Sequence, residues 1–319
     1  MSHPKSVAVL SRSFSQNPVL RAELLARCPN AVFNETGRSL AGQELVAFLK
    51  GHDGAIVALE RMDAPALAAA SDLRVIGKYG VGLDNVDLHA CVARGIKVGW
   101  TGGVNRHSVA ELTIAFTIAA LRHMVRSNRE ILGGTFRQIQ GRELRGKTIG
   151  LIGCGHVGKE VVQLLKPFGC RVLAHDIRDF SDFYKAHGVS SVSLDQLCAE
   201  ADIISLHVPL TPATRMLFDR ERLARLKPGV ILVNTARGGL VDEAALAEAL
   251  SSGQVAAAAF DVFSPEPPVD DALTGLTNFI STGHIGGSTA ECVLAMGRSA
   301  IDGLFNAVDA TDHIPDYLR

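Results

Sequence analysis

This sequence has few of the features that mark specialised classes of protein. Its six cysteines are scattered, and no two have the C-x-x-C spacing of a zinc or redox pair. The 32 lysine and arginine residues against 33 aspartate and glutamate residues leave no basic excess for nucleic acid or an anionic membrane. No apolar run approaches the length of a membrane span. We therefore expect a cytoplasmic protein with reduced thiols, no metal site, and no nucleic-acid or membrane partner.

The order of apolar and amphipathic segments predicts the fold class. At 319 residues the chain is long enough for roughly two domains, and its 47% hydrophobic content is ordinary for a globular protein. Short apolar runs alternate with helical patterns, first in SVAVL, GAIVAL, LRVIGKYG and IKVGW and again from TIGLIG to NFISTGH. This alternation predicts an α/β protein with mostly parallel sheets. The first of these runs is predicted to be a strand and not a signal peptide, because it is too short and lacks a small-residue cleavage site.

A long apolar helix is predicted between the two alternating series. The segment VNRHSVAELTIAFTIAALRHMV follows Trp100 and is apolar on nearly all sides, which indicates a domain connector or part of a subunit interface. Ser108 with Glu111 three residues later predicts a capping box that opens this helix. The polar residues 126–147 are predicted to form loop and short helix.

A glycine-rich turn predicts a dinucleotide site. Gly153, Gly155 and Gly158 form the pattern G-x-G-x-x-G after a predicted strand and before a predicted helix. Glycines permit a tight turn and close approach of a pyrophosphate, to which the helix N-terminus offers N–H donors. The next apolar run ends in Asp176, whose carboxylate can accept the ribose hydroxyls and would repel a 2′-phosphate. The pattern favours NAD over NADP, and Arg178 two residues later leaves that preference open. The alternative for Asp176 is a helix cap or an ordinary turn residue.

Polar residues at the ends of the later apolar runs are the candidates for chemistry, because open α/β sheets bind ligands at the carboxyl ends of their strands. They are His207, Arg237, Asp261 and His284. A further candidate, Glu266, comes after Asp261 in the segment DVFSPEPP, where prolines stiffen the loop around its carboxylate. Arg237 is suited to a bidentate clamp on a carboxylate, with a surface ion pair as the alternative. Glu266 as an ordinary acid in a surface turn also stays open, and His207 is interpreted as structural.

With Arg237, Glu266 and His284 in this order behind the dinucleotide motif, the chain resembles the D-isomer-specific 2-hydroxyacid dehydrogenases. This family includes phosphoglycerate, glycerate/hydroxypyruvate and D-lactate dehydrogenases. The resemblance runs over nearly the whole chain, through the blocks KYGVGLDNVDL, SVAEL, GLIGCGHVGKEV, HVPLTPATRMLF, VNTARGGLVDEAAL, AAFDVFSPEPP and HIGGST. So many ordered blocks make a chance similarity untenable.

The resemblance implies a split arrangement of domains. Residues 102–284 would form a Rossmann-type doubly wound NAD-binding domain. Residues 1–101 and 285–319 would form a second, flavodoxin-like α/β domain that binds substrate, with the active site between the two. The Ser108 helix would contribute to a homodimer interface. Because the chain stops at Arg319, serine feedback through additional regulatory domains is not expected.

The same resemblance implies roles for individual residues. Arg237 would hold the substrate's carboxylate and carbonyl oxygen, His284 would be the acid/base, and Glu266 would hydrogen-bond the second imidazole nitrogen. A substrate loop would bind the carboxylate through backbone N–H groups; it consists of Gly80, Val81 and Gly82. Besides the glycine turn and its acid, the implied NAD contacts are His156, Val157, Val208, Pro209, Thr214, Thr235, Ala236, Asp261 and Gly287. Of these, Asp261 would contact the nicotinamide amide.

These roles fit one reaction. Oxidation of a 2-hydroxy acid removes a proton from oxygen and a hydride from carbon, and reduction delivers both. An imidazole exchanges protons near neutral pH, a neighbouring carboxylate favours its protonated form, and a guanidinium stabilises charge on the substrate oxygen. The sequence therefore predicts an NAD-dependent oxidoreductase that interconverts a D-2-hydroxy acid and its 2-keto acid. The expected substrate is 3-phosphoglycerate or a related small acid such as glycerate or hydroxypyruvate.

Two other functions remain open on the same motifs. A corepressor-like scaffold that senses NAD(H) would keep the arginine, glutamate and histidine without catalysis, although no extra interaction segment is evident. Phosphite or formate oxidation would use the same fold, but the substrate loop favours a 2-hydroxy acid. Binding of a phosphate by Arg106 or His107 would favour 3-phosphoglycerate, and a solvated role for both is the alternative. One departure from the family pattern is Gly283 in place of the usual proline, which implies a looser loop around His284.

Overall fold

The computed structural model describes residues 3–269 and 271–314. Contacts divide the chain into two compact units, one formed by residues up to Asn105 and from Thr289 onward, the other by Arg106–Ser288. The corresponding boundaries expected from the sequence were at residues 102 and 285.

The strands are β1 (Val7–Val9), β2 (Val32–Phe33), β3 (Gly54–Val57), β4 (Val75–Lys78), β5 (Lys97–Gly99), β6 (Thr148–Ile152), β7 (Arg171–His175), β8 (Val189–Ser191), β9 (Ile203–Leu206), β10 (Val230–Asn234), β11 (Val255–Phe260), β12 (Phe279–Ser281) and β13 (Val308–Asp309). The helices are α1 (Arg12–Ser15), α2 (Pro18–Arg27), α3 (Gly42–Leu49), α4 (Ala64–Ala69), α5 (Leu88–Arg94), α6 (Arg106–Leu121), α7 (Met124–Leu132), α8 (His156–Leu165), α9 (Ser181–His187), α10 (Leu194–Glu200), α11 (Arg220–Ala224), α12 (Glu243–Ser252), α13 (Asp271–Thr274) and α14 (Ala290–Asn306). Short 3₁₀ turns lie at Lys166–Phe168 and Ala310–His313.

The sheet of the first unit has the strand order β13-β5-β4-β3-β1-β2. All neighbouring strands are parallel except β13, which pairs antiparallel with β5. Apolar clusters cover both faces, one including Leu67 and Ile76 and the other including Leu20 and Ile301. Burial on both faces explains why these strands are apolar runs without polar alternation. The order 2-1-3-4-5 confirms the predicted flavodoxin-like arrangement.

The sheet of the second unit has the order β12-β11-β10-β9-β6-β7-β8, with all neighbouring pairs parallel. The chain winds outward from β6 through β7 and β8, then returns to add β9 to β12 on the other side of β6. The direction of winding therefore reverses between β6 and β9, and ligands of such sheets bind outside the carboxyl ends at this switch point. This topology confirms the predicted Rossmann-type doubly wound fold.

The long helix of the second unit begins earlier than predicted. α6 starts at Arg106, so Ser108 lies inside its first turn, and the Ser108 hydroxyl donates to the carbonyl oxygen of Gly286 at 2.5 Å. The capping-box prediction is therefore wrong, because this hydroxyl is bonded to a loop distant in sequence and does not cap the helix. His123 has a φ of 54°, and α7 continues beyond it at an angle of 63° to α6. Among the described residues, no single helix is long and apolar enough to cross a membrane.

Candidate active site

The turn between β6 and α8 can only be built from glycine at two of its positions. Gly153 has a φ of 91°, and a Cβ there would lie 2.6 Å from the carbonyl oxygen of His207. A Cβ on Gly158 would lie 2.4 Å from the carbonyl oxygen of Gly153. Gly155 is the N-cap of α8, and because it has no side chain, it leaves the first N–H groups of the helix accessible to a ligand. The turn thus leaves a tight backbone cradle and a helix N-terminus suited to phosphate.

Three basic side chains lie near this helix N-terminus. Partial burial lowers the pKa of His156, and the charges of Arg106, Arg178 and Lys159 lower it further. The Arg178 guanidinium lies directly over the turn, 3.2 Å from where a Cβ on Gly155 would be. These cations favour an anionic group at the turn.

The two residues considered for a substrate phosphate have an acidic neighbour. Arg106 Nε lies 3.7 Å from Glu160 Oε2, and His107 Nδ1 lies 2.9 Å from Glu160 Oε1. This carboxylate offsets part of the positive charge that a phosphate would need. A phosphate site at Arg106 or His107 stays a prediction.

Asp176 lies beside the glycine turn, directly after β7. Its Oδ2 accepts a hydrogen bond from the Cys154 N–H at 2.7 Å, and its Oδ1 accepts one from the Arg178 N–H at 2.9 Å. The side chain is 7% exposed. The acid expected to bind ribose is therefore fixed against the backbone expected to bind the pyrophosphate.

Arg237 lies in a loop that Asn234 organises at the end of β10. The Asn234 amide donates to the Arg237 carbonyl oxygen at 2.8 Å and accepts from the Ala236 N–H at 3.0 Å. Asn234 is 1% exposed, so its polar atoms must be paired inside the protein. Sequence reasoning missed this residue, although an asparagine that ends the apolar run VILVN was a usable signal.

The Arg237 loop packs directly on the loop that carries Glu266. A Cβ on Gly238 would lie 2.0 Å from the Phe263 carbonyl oxygen, so only glycine allows the two backbones to approach this closely. Glu266 Oε1 in turn accepts a hydrogen bond from the Phe263 N–H at 3.1 Å. The peptide bonds that precede Pro265 and Pro267 are cis. The close packing at Gly238 therefore places Arg237 and Glu266, which are distant in sequence, on adjoining loops.

Glu266 also contacts His284, which follows β12. Glu266 Oε2 lies 2.8 Å from His284 Nδ1, and the two side chains are 39% and 46% exposed. A polar contact this exposed contributes little to folding stability, so its main effect is to orient the imidazole. With Nδ1 bonded to the carboxylate, Nε2 is the nitrogen that can exchange a proton with a ligand. His284 adopts a left-handed backbone conformation, with a φ of 56°.

Asp261, after β11, is bonded to the His284 loop through both carboxylate oxygens. Oδ1 accepts from the Thr282 hydroxyl at 2.5 Å and the Ile285 N–H at 2.7 Å, and Oδ2 accepts from the Gly286 N–H at 2.7 Å. The residue is 1% exposed. Thr282 is a second contributor that sequence reasoning missed, because nothing in its local sequence indicates a bond to an acid 21 residues earlier.

The remaining predicted NAD contacts lie along the same edge of the sheet. A Cβ on Gly153 would lie 2.9 Å from Val208 Cγ1, and the Thr214 hydroxyl donates to the Pro209 carbonyl oxygen at 2.6 Å. The Thr235 side chain is directed toward α6, where its hydroxyl lies 3.0 Å from that of Thr113. The others occupy turn or helix-end positions beside the residues above: Val157, Ala236 and Gly287. Their contacts with a cofactor stay predictions.

The predicted substrate loop belongs to the first unit and follows β4. Gly80 has a φ of 119°, and the Val81 carbonyl oxygen accepts a hydrogen bond from the Trp100 indole at 3.0 Å. Gly82 is half-buried in the same loop. The indole therefore fixes the loop backbone, whose N–H groups are the predicted ligands of a carboxylate.

His207, at the end of β9, has an environment that favours the neutral imidazole. Its Nε2 lies 3.0 Å from the Ser205 hydroxyl, and burial lowers its pKa to about 4. The residue is therefore uncharged at neutral pH, which fits the structural role predicted for it.

Replacing His207 with glutamine is expected to make folding stability less sensitive to acid. The unfolded chain takes up the proton near pH 6.5 and the folded protein only near pH 4, so stability is lost as the pH falls through this range. At pH 5 this cost is up to about 2 kcal/mol, and less where solvent reaches the ring. Urea unfolding of cofactor-free protein at pH 7.5 and 5 measures it, with His89→Gln as an exposed-histidine control. Equal pH dependence in the His207 variant and wild type would contradict the assignment.

Comparison with known proteins identifies relatives over most of the chain. The family model for the NAD binding domain of D-isomer specific 2-hydroxyacid dehydrogenases matches residues 114–286. Hydroxypyruvate reductase of Thermotoga maritima is 40% identical over 277 residues, which cover 85% of this chain and 89% of that protein. D-3-phosphoglycerate dehydrogenase of Mycobacterium tuberculosis is 42% identical over 260 residues, 81% of this chain and 49% of that protein. The matched region thus spans about half the length of that dehydrogenase.

A solved structure extends the similarity to the architecture. The D-lactate dehydrogenase of Aquifex aeolicus, whose crystal contains NAD and lactic acid, superposes with a TM-score of 0.80. It is 28% identical in sequence, and the alignment covers 93% of each chain.

Proposed function

Because the chain belongs to the D-isomer specific 2-hydroxyacid dehydrogenase family, we propose that it is an NAD-dependent oxidoreductase that interconverts a D-2-hydroxy acid and its 2-keto acid. The observation that carries the proposal is the 2.8 Å contact between His284 Nδ1 and Glu266 Oε2. This pair lies on the sheet edge that also holds the glycine turn expected to bind the cofactor. An acid/base group oriented by a carboxylate beside a dinucleotide cradle is what such a reaction requires.

NAD, when bound, supplies the carbon that accepts or donates the hydride. The backbone of Gly153 to Gly158 and the α8 N-terminus would hold its pyrophosphate, and Asp176 would accept bonds from its adenosine ribose. The close approaches at this turn fit the cofactor, since a Cβ at Gly153 would collide with the neighbouring backbone.

The proton would move through His284. In the oxidative direction, Nε2 takes the proton of the substrate hydroxyl, and in the reductive direction it delivers a proton to the forming alkoxide. Glu266 holds the Nδ1 side and stabilises the imidazolium in both directions. Arg237 would bind the substrate carboxylate and stabilise negative charge on the reacting oxygen. Backbone N–H groups of the Gly80–Gly82 loop would bind the same carboxylate.

The substrate proposed is a small 2-hydroxy acid, with glycerate/hydroxypyruvate and 3-phosphoglycerate as the candidates. The names of the relatives from Thermotoga maritima and Mycobacterium tuberculosis support these two. Glu160 beside Arg106 and His107 favours the unphosphorylated acid, because the carboxylate opposes a second anion there.

The test is NADH oxidation by the purified protein with a panel of hydroxypyruvate, glyoxylate, pyruvate and 3-phosphohydroxypyruvate. We expect steady turnover with at least one, and the highest kcat/KM with hydroxypyruvate. Tight NADH binding without turnover of any 2-keto acid would instead favour the NAD(H)-sensing scaffold.

Replacing Asp176 with alanine is expected to weaken NAD binding roughly 10-fold or more while NADP binding changes little. The variant loses charge-assisted bonds to the ribose hydroxyls, which only the unphosphorylated ribose makes, and it also loses the repulsion of a 2′-phosphate. Isothermal titration with both cofactors measures the effect. Asp179→Ala is the matched control, since this exposed acid lies three residues away and accepts a hydrogen bond from the Ser181 N–H at 2.8 Å. Equal losses for NAD and NADP would indicate only a loosened turn.

We also propose that the protein is a cytoplasmic homodimer. Exposed apolar side chains support a second copy as the covering surface: Met124 (55%), Ile131 (50%), Leu132 (79%) and Phe136 (90%), on α7 and the loop after it. The six cysteines are free thiols, which suits a reducing compartment. Light scattering on the eluting protein measures the molar mass, and a monomeric wild type would contradict the dimer.

A further inference from the structure

We propose that Asp261 is the positioning residue of the site: its buried carboxylate fixes the loop in which His284 meets Glu266. This inference rests on the proposed dehydrogenase function for its effect on turnover. The contacts that suggest it are independent of that function, because they lie entirely within residues 261–286 and the start of α6.

The carboxylate binds both sides of the His284 position. Thr282 bonds to Oδ1 before the histidine, and Ile285 and Gly286 bond to the two oxygens after it, at 2.5–2.7 Å. The His284 N–H itself donates to the backbone carbonyl oxygen of Asp261 at 2.9 Å. One residue therefore receives hydrogen bonds from four positions of a five-residue segment.

The backbone at this position needs such support. His284 has a φ of 56°, a region that non-glycine residues rarely adopt, and it follows Gly283, which imposes little conformational preference of its own. Conformations of this kind persist where surrounding bonds determine them. The contacts of Asp261 supply those bonds, and the direction of the imidazole toward Glu266 depends on them.

The loop and the carboxylate depend on each other. Asp261 is 1% exposed, so its charge is stable there only while donors surround it. The loop is also braced from the other side, where Ser108 on α6 donates to the Gly286 carbonyl oxygen at 2.5 Å. A Cβ on Gly286 would lie 3.0 Å from Asp261 Oδ2 and 3.4 Å from Val109 Cγ2, so the loop has little room to shift.

The hydrogen-bond donors that Asp261 already has show whether its carboxylate mainly serves the His284 loop or a bound cofactor. A carboxylate has about four acceptor positions, and three are already filled by Thr282, Ile285 and Gly286. A bond to the nicotinamide amide would at most add to an arrangement that exists without it. The principal partner of Asp261 is therefore the His284 loop.

Asp261→Asn is expected to lower kcat roughly 10- to 100-fold with the Kd of NADH within about threefold of wild type. In either orientation, the new NH₂ group faces a loop donor that has lost its acceptor. Thr282→Val, which removes one donor and keeps the shape, is expected to lower kcat about 3- to 10-fold. Asp202→Asn is the control: this acid accepts from the Thr148 N–H at 2.9 Å at the opposite, amino edge of the same sheet, and kcat should stay at the wild-type value.

A double mutant distinguishes positioning from general damage. If Asp261 acts through His284, then Asp261→Asn added to His284→Ala causes no further loss of the residual turnover. Damage to the fold or to NADH binding would lower that residual rate again. Faster amide hydrogen exchange at Ile285 and Gly286 in Asp261→Asn, with the amides of β6 unchanged, is the expected direct readout of the loop.

The outcomes that overturn the inference differ from those that overturn the dehydrogenase. Normal kcat in Asp261→Asn and Thr282→Val would end the positioning role, as would normal kcat with NADH binding weakened more than tenfold. Thr282→Val serves alone if the asparagine variant does not fold. A wild-type protein that turns over no 2-keto acid ends the proposed function, and unchanged amide exchange in the variants then ends the positioning role separately.

Discussion

Replacing His284 with alanine is expected to lower kcat for 2-keto acid reduction by roughly 100- to 10,000-fold, the usual contribution of a positioned acid/base. The Kd of NADH should stay within about twofold, because the expected cofactor contacts are distant from β12. The glycine turn and α8 follow β6, Asp176 follows β7, and all of them keep their contacts in the variant. Stopped-flow reduction at saturating substrate and a separate NADH titration measure the two quantities.

A graded variant strengthens this test. Glu266→Gln removes the negative charge that stabilises the imidazolium and leaves one acceptor oxygen for both the Phe263 N–H and His284 Nδ1. Because the imidazole itself is kept, a smaller fall of about 10- to 100-fold is expected. His89→Ala, a change at an exposed histidine in the first unit, should leave kcat unchanged. Near-normal turnover in His284→Ala would remove the acid/base assignment, because the proton would then have to come from another group.

The positions of the main candidates were predictable because they follow from sheet topology. A parallel sheet places the residues after each strand at one edge, so apolar runs that end in Arg237, Asp261 and His284 imply neighbouring side chains once β10, β11 and β12 are adjacent. The glycine turn was predictable for a steric reason, because only glycine fits at Gly153 and Gly158. Both kinds of feature, strand ends and required glycines, can be recognised from the local sequence.

The bonds that orient these candidates were not predictable in the same way. The Thr282 hydroxyl on Asp261 and the Ser108 hydroxyl on Gly286 join residues 21 and 178 positions apart, and only the folded loops bring them together. Ser108 shows the hazard directly: its spacing to Glu111 matches a capping box, yet the tertiary contact determines what the hydroxyl does. A short polar side chain has several possible partners nearby, and its sequence cannot choose among them.

Helix continuity was misjudged for a related reason. The apolar segment after Trp100 has the composition of one helix through residue 125, but the structure ends α6 at Leu121 and begins α7 at Met124. Between them the left-handed His123 redirects the chain, and Arg142 donates its backbone N–H to the Leu121 carbonyl oxygen at 2.9 Å. Helix propensity depends on the local sequence, so it cannot predict that a residue distant in sequence will bond to the last carbonyl groups of a helix.

Replacing Arg237 with lysine is expected to lower kcat/KM for the 2-keto acid roughly 100-fold or more, with the KM raised and the Kd of NADH unchanged. The ammonium keeps the charge but is a single point that cannot bond a planar carboxylate and the reacting oxygen together, whereas the guanidinium can. The loop itself should survive, because Asn234 holds it through the backbone of Arg237 and Ala236. The guanidinium adds one bond of its own to the loop, from Nη1 to the Ala236 carbonyl oxygen at 2.7 Å, and an ammonium can also donate such a bond.

Two further variants separate the charge from the loop that presents it. Asn234→Ala keeps the guanidinium but leaves the Arg237 carbonyl and Ala236 N–H without their buried partner, so the same rise in KM should appear in weaker form. Arg225→Lys, at an exposed ion pair with Glu221 on α11, should leave KM unchanged. If Arg237→Lys keeps a wild-type KM for every 2-keto acid tested, the carboxylate is held elsewhere. The convergence of the Arg237 loop on the Glu266 loop through Gly238 would then be packing alone.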